Sequence, residues 1–493
     1  MHFVHPVGLS LLLLPLTLAV ACGDKGADTG TGTGGDGGAE DGGATTDSGS
    51  GDGGTDRVPT WYQDVQPIVA EHCWTCHNPE NADAAFDLTD VDLVVELADW
   101  LNSKINGPDT EPPYMMPPMG LDPSPECDVG LPVRTDLRLA EEDKATFQAW
   151  IDAGTPLGDE ATAAPYEIPE LPTLSGDRVV ETTPVSFDSH DGQTGDAYNC
   201  WSWDLGITDP EGAWVSGVQV NGDNLNILHH AVIMADFSGE TAPEGGGDGK
   251  CPRPGDEVPS ATMLATWVPG ADPIILPEGY AFHFPAGTRL VTATHYHLTG
   301  TGQHDASTIS LSYLDKPPRY EAVVLPLGAA DPGETDDPAW EHNPFLIEPG
   351  DDHYVNTWRD HHTHPEDKEF RIWALFPHMH YAATAMKVTL EHPDGTSDCI
   401  SEVPVFDFDF QRTYEWDAPY EDLPVLGSDD TFAIQCSYNN SESNATLRRA
   451  YEDNGITEYL PIQIGNGWLD EMCVLHAIVV QEYDGRFERE AGE

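Results

Sequence analysis

Apolar and polar positions divide the 493-residue chain into four textures. The first is an apolar run from Leu9 to Val20, closed by small residues before Cys22. A run this short at the amino terminus predicts an export signal over 1–22, because a membrane-spanning helix needs about 20 apolar residues. Residues 23–57 are then almost wholly Gly, Asp, Thr, Ala and Ser. They cannot bury enough apolar surface to offset their ordering entropy and are expected to form a disordered, acidic tether. In the third texture, 58–160, the segment Trp61–Val69 leads into a cysteine-bearing motif and Glu141–Ile151 closes the unit with helical periodicity, with Gly154-Thr155-Pro156 as a stop. A Pro-rich linker follows over 161–174. From residue 175 the pattern changes to short runs such as 214–220, 288–294 and 386–390, separated by Gly, Pro and Asp. This predicts antiparallel β-structure, and the length calls for two domains, 175–325 and 326–490.

Charge removes some partners. With 86 acids against 21 bases, the formal charge of −65 repels nucleic acid and anionic lipid surfaces. It implies a highly solvated surface and says nothing about where chemistry occurs. The stretch Leu18-Ala19-Val20-Ala21-Cys22 resembles a bacterial lipoprotein cleavage box. That resemblance implies a lipidated Cys22 tied to the cell envelope, at the outer membrane or cell surface, with simple secretion as the second choice.

Within 58–160, Cys73-Trp74-Thr75-Cys76-His77 is the pattern of covalent c-type haem. The two thiols would add to the porphyrin vinyl groups and His77 would supply the proximal nitrogen; a plain disulfide is the bland alternative. Tyr114-Met115-Met116-Pro117-Pro118-Met119 offers the other axial ligand. Met116 is preferred because its prolines hold an extended backbone, with Met115 and Met119 as alternatives. The unit is similar to a small, mostly helical cytochrome-c-like domain.

The β region carries two histidine sets. His378 and His380 are two apart, so a strand would point both to one face, where they could chelate one ion. Met472, in Asp470-Glu471-Met472-Cys473, would add a thioether that favours Cu(I), though alone it reads as a core methionine. His229 and His230 are adjacent, and both can reach one ion only where the strand twists, bulges or ends. His295 completes three imidazoles; His297, on the same face, competes equally for that place.

Residues 180–487 resemble the copper type II, ascorbate-dependent monooxygenases, the group of peptidylglycine alpha-hydroxylating and dopamine beta-monooxygenases. The resemblance lies in ordered blocks: Asp196-Ala197-Tyr198-Asn199-Cys200, His229-His230, Trp267-Val268-Pro269-Gly270, Pro277-Glu278-Gly279, His295-Tyr296, His378-Met379-His380, Asp409-Phe410-Gln411 with Tyr414, Cys436-Ser437-Tyr438-Asn439-Asn440, and Asp470 to Cys473. It implies two β-sandwich, jelly-roll-like domains, each holding one copper across a solvent-filled cleft. His229, His230 and His295 would hold the electron-storing copper, and His378, His380 and Met472 the copper where oxygen is activated. His297 then becomes a supporting residue. The resemblance also pairs Cys200 with Cys251 and Cys436 with Cys473, leaving Cys127 and Cys399 without an assigned partner.

The implied reaction is hydroxylation of a substrate C–H bond by O2, with electrons from ascorbate or from a periplasmic or membrane donor through the haem. The alternative is a copper- and haem-binding electron-transfer lipoprotein without hydroxylase activity. Peptide-hydroxylating relatives bind a carboxylate with an Arg, an Asn and a Tyr at positions occupied here by Phe376, Val474 and His476. The anion clamp is missing, which favours a neutral, aromatic or otherwise apolar small molecule. His353, His361, His362 and His364 are expected on a solvated surface loop.

Overall fold

The computed structural model describes residues 57–485 apart from internal stretches, the longest being 107–115, 242–260 and 330–344. The export signal, Cys22 and the tether lie outside the described residues, as do Met115, Met119 and Cys251.

The amino-terminal part of this body is helical. A π-turn, Trp61–Val65, runs into the helix Gln66–His72, which begins with Pro67 in its first turn. Pro is tolerated there because its missing N–H would have had no partner. Asp90 caps the helix Val91–Glu96 by accepting from the amides of Asp92 and Leu93. Ala98–Ile105 follows after a break at Leu97. The helix Glu141–Asp152 has three acids in its first turn, where they complement the helix dipole. The periodicity closing the unit is thus helical, and the pair of helices between 91 and 105 adds to it. Trp61, Val65, Val69, Trp74, Val94, Phe147 and Trp150 form a core distinct from that of the β region. Trp61 and Tyr62 donate their amides to the carbonyls of Pro156 and Leu157, which brings the ends of the unit together.

Beyond residue 175 the chain is mostly β-structure, arranged in several sheets. One four-stranded sheet has the order Thr194–Asp204, Arg289–Thr299, Leu228–Asp236, Ala261–Trp267. A second runs Tyr354–His361, Thr431–Tyr438, Ala383–Glu391, Ser397–Val403. A ten-stranded sheet joins the two regions. In it, Tyr320–Ala329 pairs in parallel with Tyr280–Phe284 and antiparallel with Cys473–Glu482, which pairs in turn with Phe370–His378. The boundary expected at residue 325 therefore falls inside a central strand, and one apolar core runs through both β regions. Gly328 on that strand has φ +89°, and a Cβ there would meet the Cys473 carbonyl oxygen at 1.9 Å. Only glycine permits so close an approach to the strand that follows Met472.

The stretch expected within the helical unit also holds a surprise. Leu121 belongs to the β core, and Val129, Leu131, Val133 and Leu137 pack against it. Cys127 is bonded to Cys399, and Cys436 to Cys473. Cys200 is disulfide-bonded as well. Such bonds belong to an oxidising compartment, in keeping with export. Among the described residues no helix is long and apolar enough to cross a membrane.

Candidate metal centre

The strand Leu228–Asp236 shifts register between Leu228 and His230 against Arg289–Thr299, so His229 is the bulged residue. The bulge turns two consecutive histidines toward one point, beside His295, which is paired with His230. The Nδ1 atom of His230 lies 3.1 Å from that of His229 and 3.3 Å from that of His295. Ligand atoms of all three rings fall within 4.8 Å of one another. Each neutral imidazole has one lone-pair nitrogen and one N–H, so three converging Nδ1 atoms cannot all be satisfied by bonds among themselves. A shared cation could accept the lone pairs of all three. Burial first, and then the neighbouring His295, His229, His378 and His380, hold His230 well below the usual imidazole range. A ring that stays unprotonated keeps its lone pair for a metal. The side chain of His297 lies outside the described residues.

The second set is built at the end of the long sheet. His378 is the last residue of Phe370–His378, and His380 follows it outside the strand. Their rings are 5.4 Å apart and nearly perpendicular. His378 Nδ1 is 2.6 Å from Gln411 Oε1, and His380 Nδ1 is 2.9 Å from the Asp470 carbonyl. Both partners accept, so Nδ1 carries the hydrogen and Nε2 the lone pair. The two sets thus offer opposite ring nitrogens. Burial lowers the basicity of His378, while the Gln411 contact opposes that effect.

Met472 comes from the neighbouring strand. The pairing of His378 with Val474 sets the register that brings residues 470–472 beside His380. Three ties fix the Met472 backbone: its amide donates to Glu471 Oε2 at 3.2 Å, Tyr438 Oη donates to its carbonyl at 2.9 Å, and Cys473 is bonded to Cys436. Glu471 is fully buried and also accepts from the amides of His380 at 2.9 Å and Ala382 at 2.7 Å. One carboxylate therefore braces the turn of His380 and the backbone of Met472. Burial pushes its carboxyl up to about 8 against the pull of those amides. Glu471 stood in the quoted Asp-Glu-Met-Cys block, but its role shows only when the two segments meet.

Phe408, which is 5% exposed, touches both sets. Its ring centroid is 6.1 Å from His229, 6.5 Å from His230 and 5.9 Å from His380. A buried aromatic ring therefore packs against His229 and His230 of one set and His380 of the other. No sequence signal distinguishes this phenylalanine from its neighbours Phe406 and Phe410.

Beside His378 the strands also place Phe376 and His476 opposite each other. The Phe376 ring stacks 6.2 Å from that of His378 and lies 6.1 Å from that of His476. These two side chains line a shallow hollow with room for about one water molecule. Met263, Thr266, Val324 and Thr413 also line it. Burial, and then His378, push His476 down to about 3, so its ring is neutral. Its Nδ1 is buried without a hydrogen-bond partner among the described residues.

In the helical unit, Cys73 and Cys76 are thiols. Burial and the neighbouring Cys76 push Cys73 up to about 12. His77 Nδ1 lies 3.1 Å from the Phe86 carbonyl, which assigns it the hydrogen and leaves the lone pair on Nε2. Met116 is 39% exposed, with its amide bonded to the Lys104 carbonyl. The expected solvated loop of histidines is more structured than its composition suggested. His361 ends the strand Tyr354–His361, and His364 is half-buried with Nε2 3.0 Å from the Leu426 carbonyl.

No protein-family model and no curated protein matches this chain. Among solved structures it is similar to the major capsid protein P2 of bacteriophage PM2, at 9% identity and a TM-score of 0.20, over 64% of this chain and 98% of that one. It is also similar to VP2 of infectious bursal disease virus, at 10% identity and a TM-score of 0.18, over 66% of this chain and 76% of that one. Likenesses this slight carry no argument about the metal centre.

Proposed function

We propose that this chain is a copper-dependent monooxygenase of the copper type II, ascorbate-dependent kind, fused to a cytochrome-c-like haem unit in a lipid-anchored envelope protein. The convergence of His229, His230 and His295 on one point, with His380 of the second set packed against the same Phe408 ring as His229 and His230, carries this reading. His229, His230 and His295 would hold one copper through Nδ1; His378 and His380 through Nε2, with the Met472 thioether, would hold the other. Imidazole suits both copper oxidation states and the thioether favours Cu(I), so the donor sets fit two coppers that exchange electrons. Bound there, copper supplies one-electron chemistry with O2: one oxygen atom enters a C–H bond, the other leaves as water, and two electrons and two protons are taken up.

The chain's own residues do the rest. Gln411 and the Asp470 carbonyl orient the two imidazoles, and Glu471 fixes the backbone that presents His380 and Met472. Phe408 packs its buried ring against His229, His230 and His380 and so helps fix their orientation. Phe376 and His476 form a neutral wall beside His378, and the missing anion clamp favours a small uncharged substrate. Cys73, Cys76 and His77 would hold the haem, with Met116 as the proposed second axial ligand. The jelly-roll form of the two β regions belongs to the same reading.

The test is substrate-dependent incorporation of ¹⁸O from ¹⁸O2 by copper-loaded full-length protein with ascorbate, across a panel of small neutral aromatic and aliphatic compounds. Labelled hydroxyl product is expected. Stoichiometric copper and haem with no labelled product from any compound would instead support the electron-transfer lipoprotein.

A further inference from the structure

The histidines at 361–364, expected on a solvated loop, meet a tight turn at the start of the strand Thr431–Tyr438. The turn is Gly427-Ser428-Asp429-Asp430. The Asp430 amide donates to the Gly427 carbonyl at 3.3 Å, and the Gly427 amide donates to Asp430 Oδ2 at 2.7 Å. Asp429 has φ +66°, a conformation that a residue with a side chain keeps only when its surroundings hold it there. The His362 backbone is part of that hold: its amide donates to the Asp430 carbonyl at 2.8 Å, and its carbonyl accepts from the Asp429 amide at 3.0 Å. His364 adds two ties, with Nε2 donating to the Leu426 carbonyl at 3.0 Å and its own carbonyl accepting from Ser428 Oγ at 2.9 Å.

A fourth histidine reaches the turn from a different hairpin. His392 lies in the link between Ala383–Glu391 and Ser397–Val403, and its Nδ1 is 2.8 Å from Asp430 Oδ1. Its Nε2 is 3.2 Å from Asp398 Oδ2. An ionised carboxylate only accepts, so only the doubly protonated ring satisfies both partners, and a neutral ring turns a lone pair toward one of them. The charge matters most at Asp430, which is 2% exposed, because a buried carboxylate without a compensating cation is costly. The other charges around His392 are Asp394 in its own turn and Glu391 beside it in the chain, which is paired with Arg359 at 3.1 Å. On the 427–430 turn, Asp429 lies 3.6 Å from His361 Nε2, and His362 feels His361, His364 and Asp430. The carboxylate contacts, led by Asp430, raise the basicity of His392, so its charged form persists below the folded value and is lost as pH rises through it.

We propose that His392 is a proton-operated latch on the 427–430 turn: doubly protonated, it bridges Asp430 to Asp398 and holds the turn shut, and neutral, it releases Asp430 and lets the turn relax. The turn joins Val425–Leu426, which pairs with Phe370 and Arg371, to Thr431–Tyr438. The first of these partners begins the strand that ends at His378, and the second strand carries Cys436, bonded to Cys473. The latch therefore secures the ends of two strands that support the second histidine set, and it gives an exported chain a response to the pH of its surroundings. It does not depend on which metal that set holds.

The experiment is amide hydrogen exchange of the full chain at about pH 5.5 and about pH 8.5, on either side of the imidazole range. Each rate is divided by the unstructured-chain rate at the same pH and resolved at Gly427 and Asp430, with the helix Glu141–Asp152 as internal reference. Relative to that helix, protection of the two amides is expected to fall about tenfold at the higher pH, as for the loss of one charge-assisted hydrogen bond. His392→Lys carries its charge at both pH values and should keep protection within about twofold. His392→Gln, neutral throughout, should show the lower protection at both and serves if the lysine variant does not fold. Equal wild-type protection at the two pH values, or the wild-type fall retained in either variant, overturns the proposal.

Discussion

Replacing Glu471 by Gln tests how the turn that presents His380 and Met472 is held. The carboxylate accepts from His380 and Met472 at one oxygen and from Ala382 at the other. An amide can accept at only one of those positions and presents an NH2 group to the amide at the other. The orientation that keeps the carbonyl oxygen toward His380 and Met472 leaves the fewest donors unsatisfied, so the Ala382 amide loses its acceptor. A buried donor left unsatisfied costs about 1–3 kcal/mol. Since about 1.4 kcal/mol is a factor of ten, local protection of that amide should fall roughly 5- to 150-fold. The assay is amide hydrogen exchange resolved at Ala382, His380 and Met472 in metal-free wild type and Glu471→Gln at pH 9, above the value of about 8 to which burial pushes this carboxyl, so that the carboxylate is the species compared. Protection within about twofold of wild type at all three amides would refute the brace.

Other predictions follow from separate parts of the molecule. His392 lies 2.8 Å from Asp430 and 3.2 Å from Asp398, and those contacts, led by Asp430, raise its basicity. A raised folded value means that its stabilisation is complete below the ordinary imidazole range and is lost as pH rises through the folded value. His392→Asn should therefore flatten the stability–pH curve in that window, and a curve of unchanged shape in chemical unfolding would contradict this. The Cys127–Cys399 bond closes a separation of 272 residues, for which loop entropy allows about 5 kcal/mol. Cys127→Ser/Cys399→Ser should lower stability and expose 129–139 to protease, whereas unchanged resistance to proteolysis there would show that the disulfide is dispensable.

Much of the local structure was readable along the chain. Adjacent His229 and His230 could serve one ion only through a distortion, and the structure has a bulge at His229. The helix at 141–152 follows from apolar periodicity, and the pairing of Cys436 with Cys473 from the resemblance. Features made by distant segments were not readable. Phe408 reaches the centre through a loop with no periodic signature, and the Cys127–Cys399 bond joins regions that local pattern assigns to different domains. The strand Tyr320–Ala329 reads as a boundary because the segment after it is rich in Asp, Gly and Pro, yet its own apolar alternation makes it the join between two β regions. Sequence period specifies the face a residue occupies, whereas strand partners are chosen by the packing of the whole sheet.

The central claim is most directly tested by metal and haem content of protein matured in an export-competent host, combined with Cu(I) X-ray absorption of wild type and Met472→Ala. The account predicts two coppers and one haem per chain, with a sulfur scatterer in wild type that disappears in the variant. Zinc or no metal, or a copper environment unchanged by loss of Met472, would contradict it.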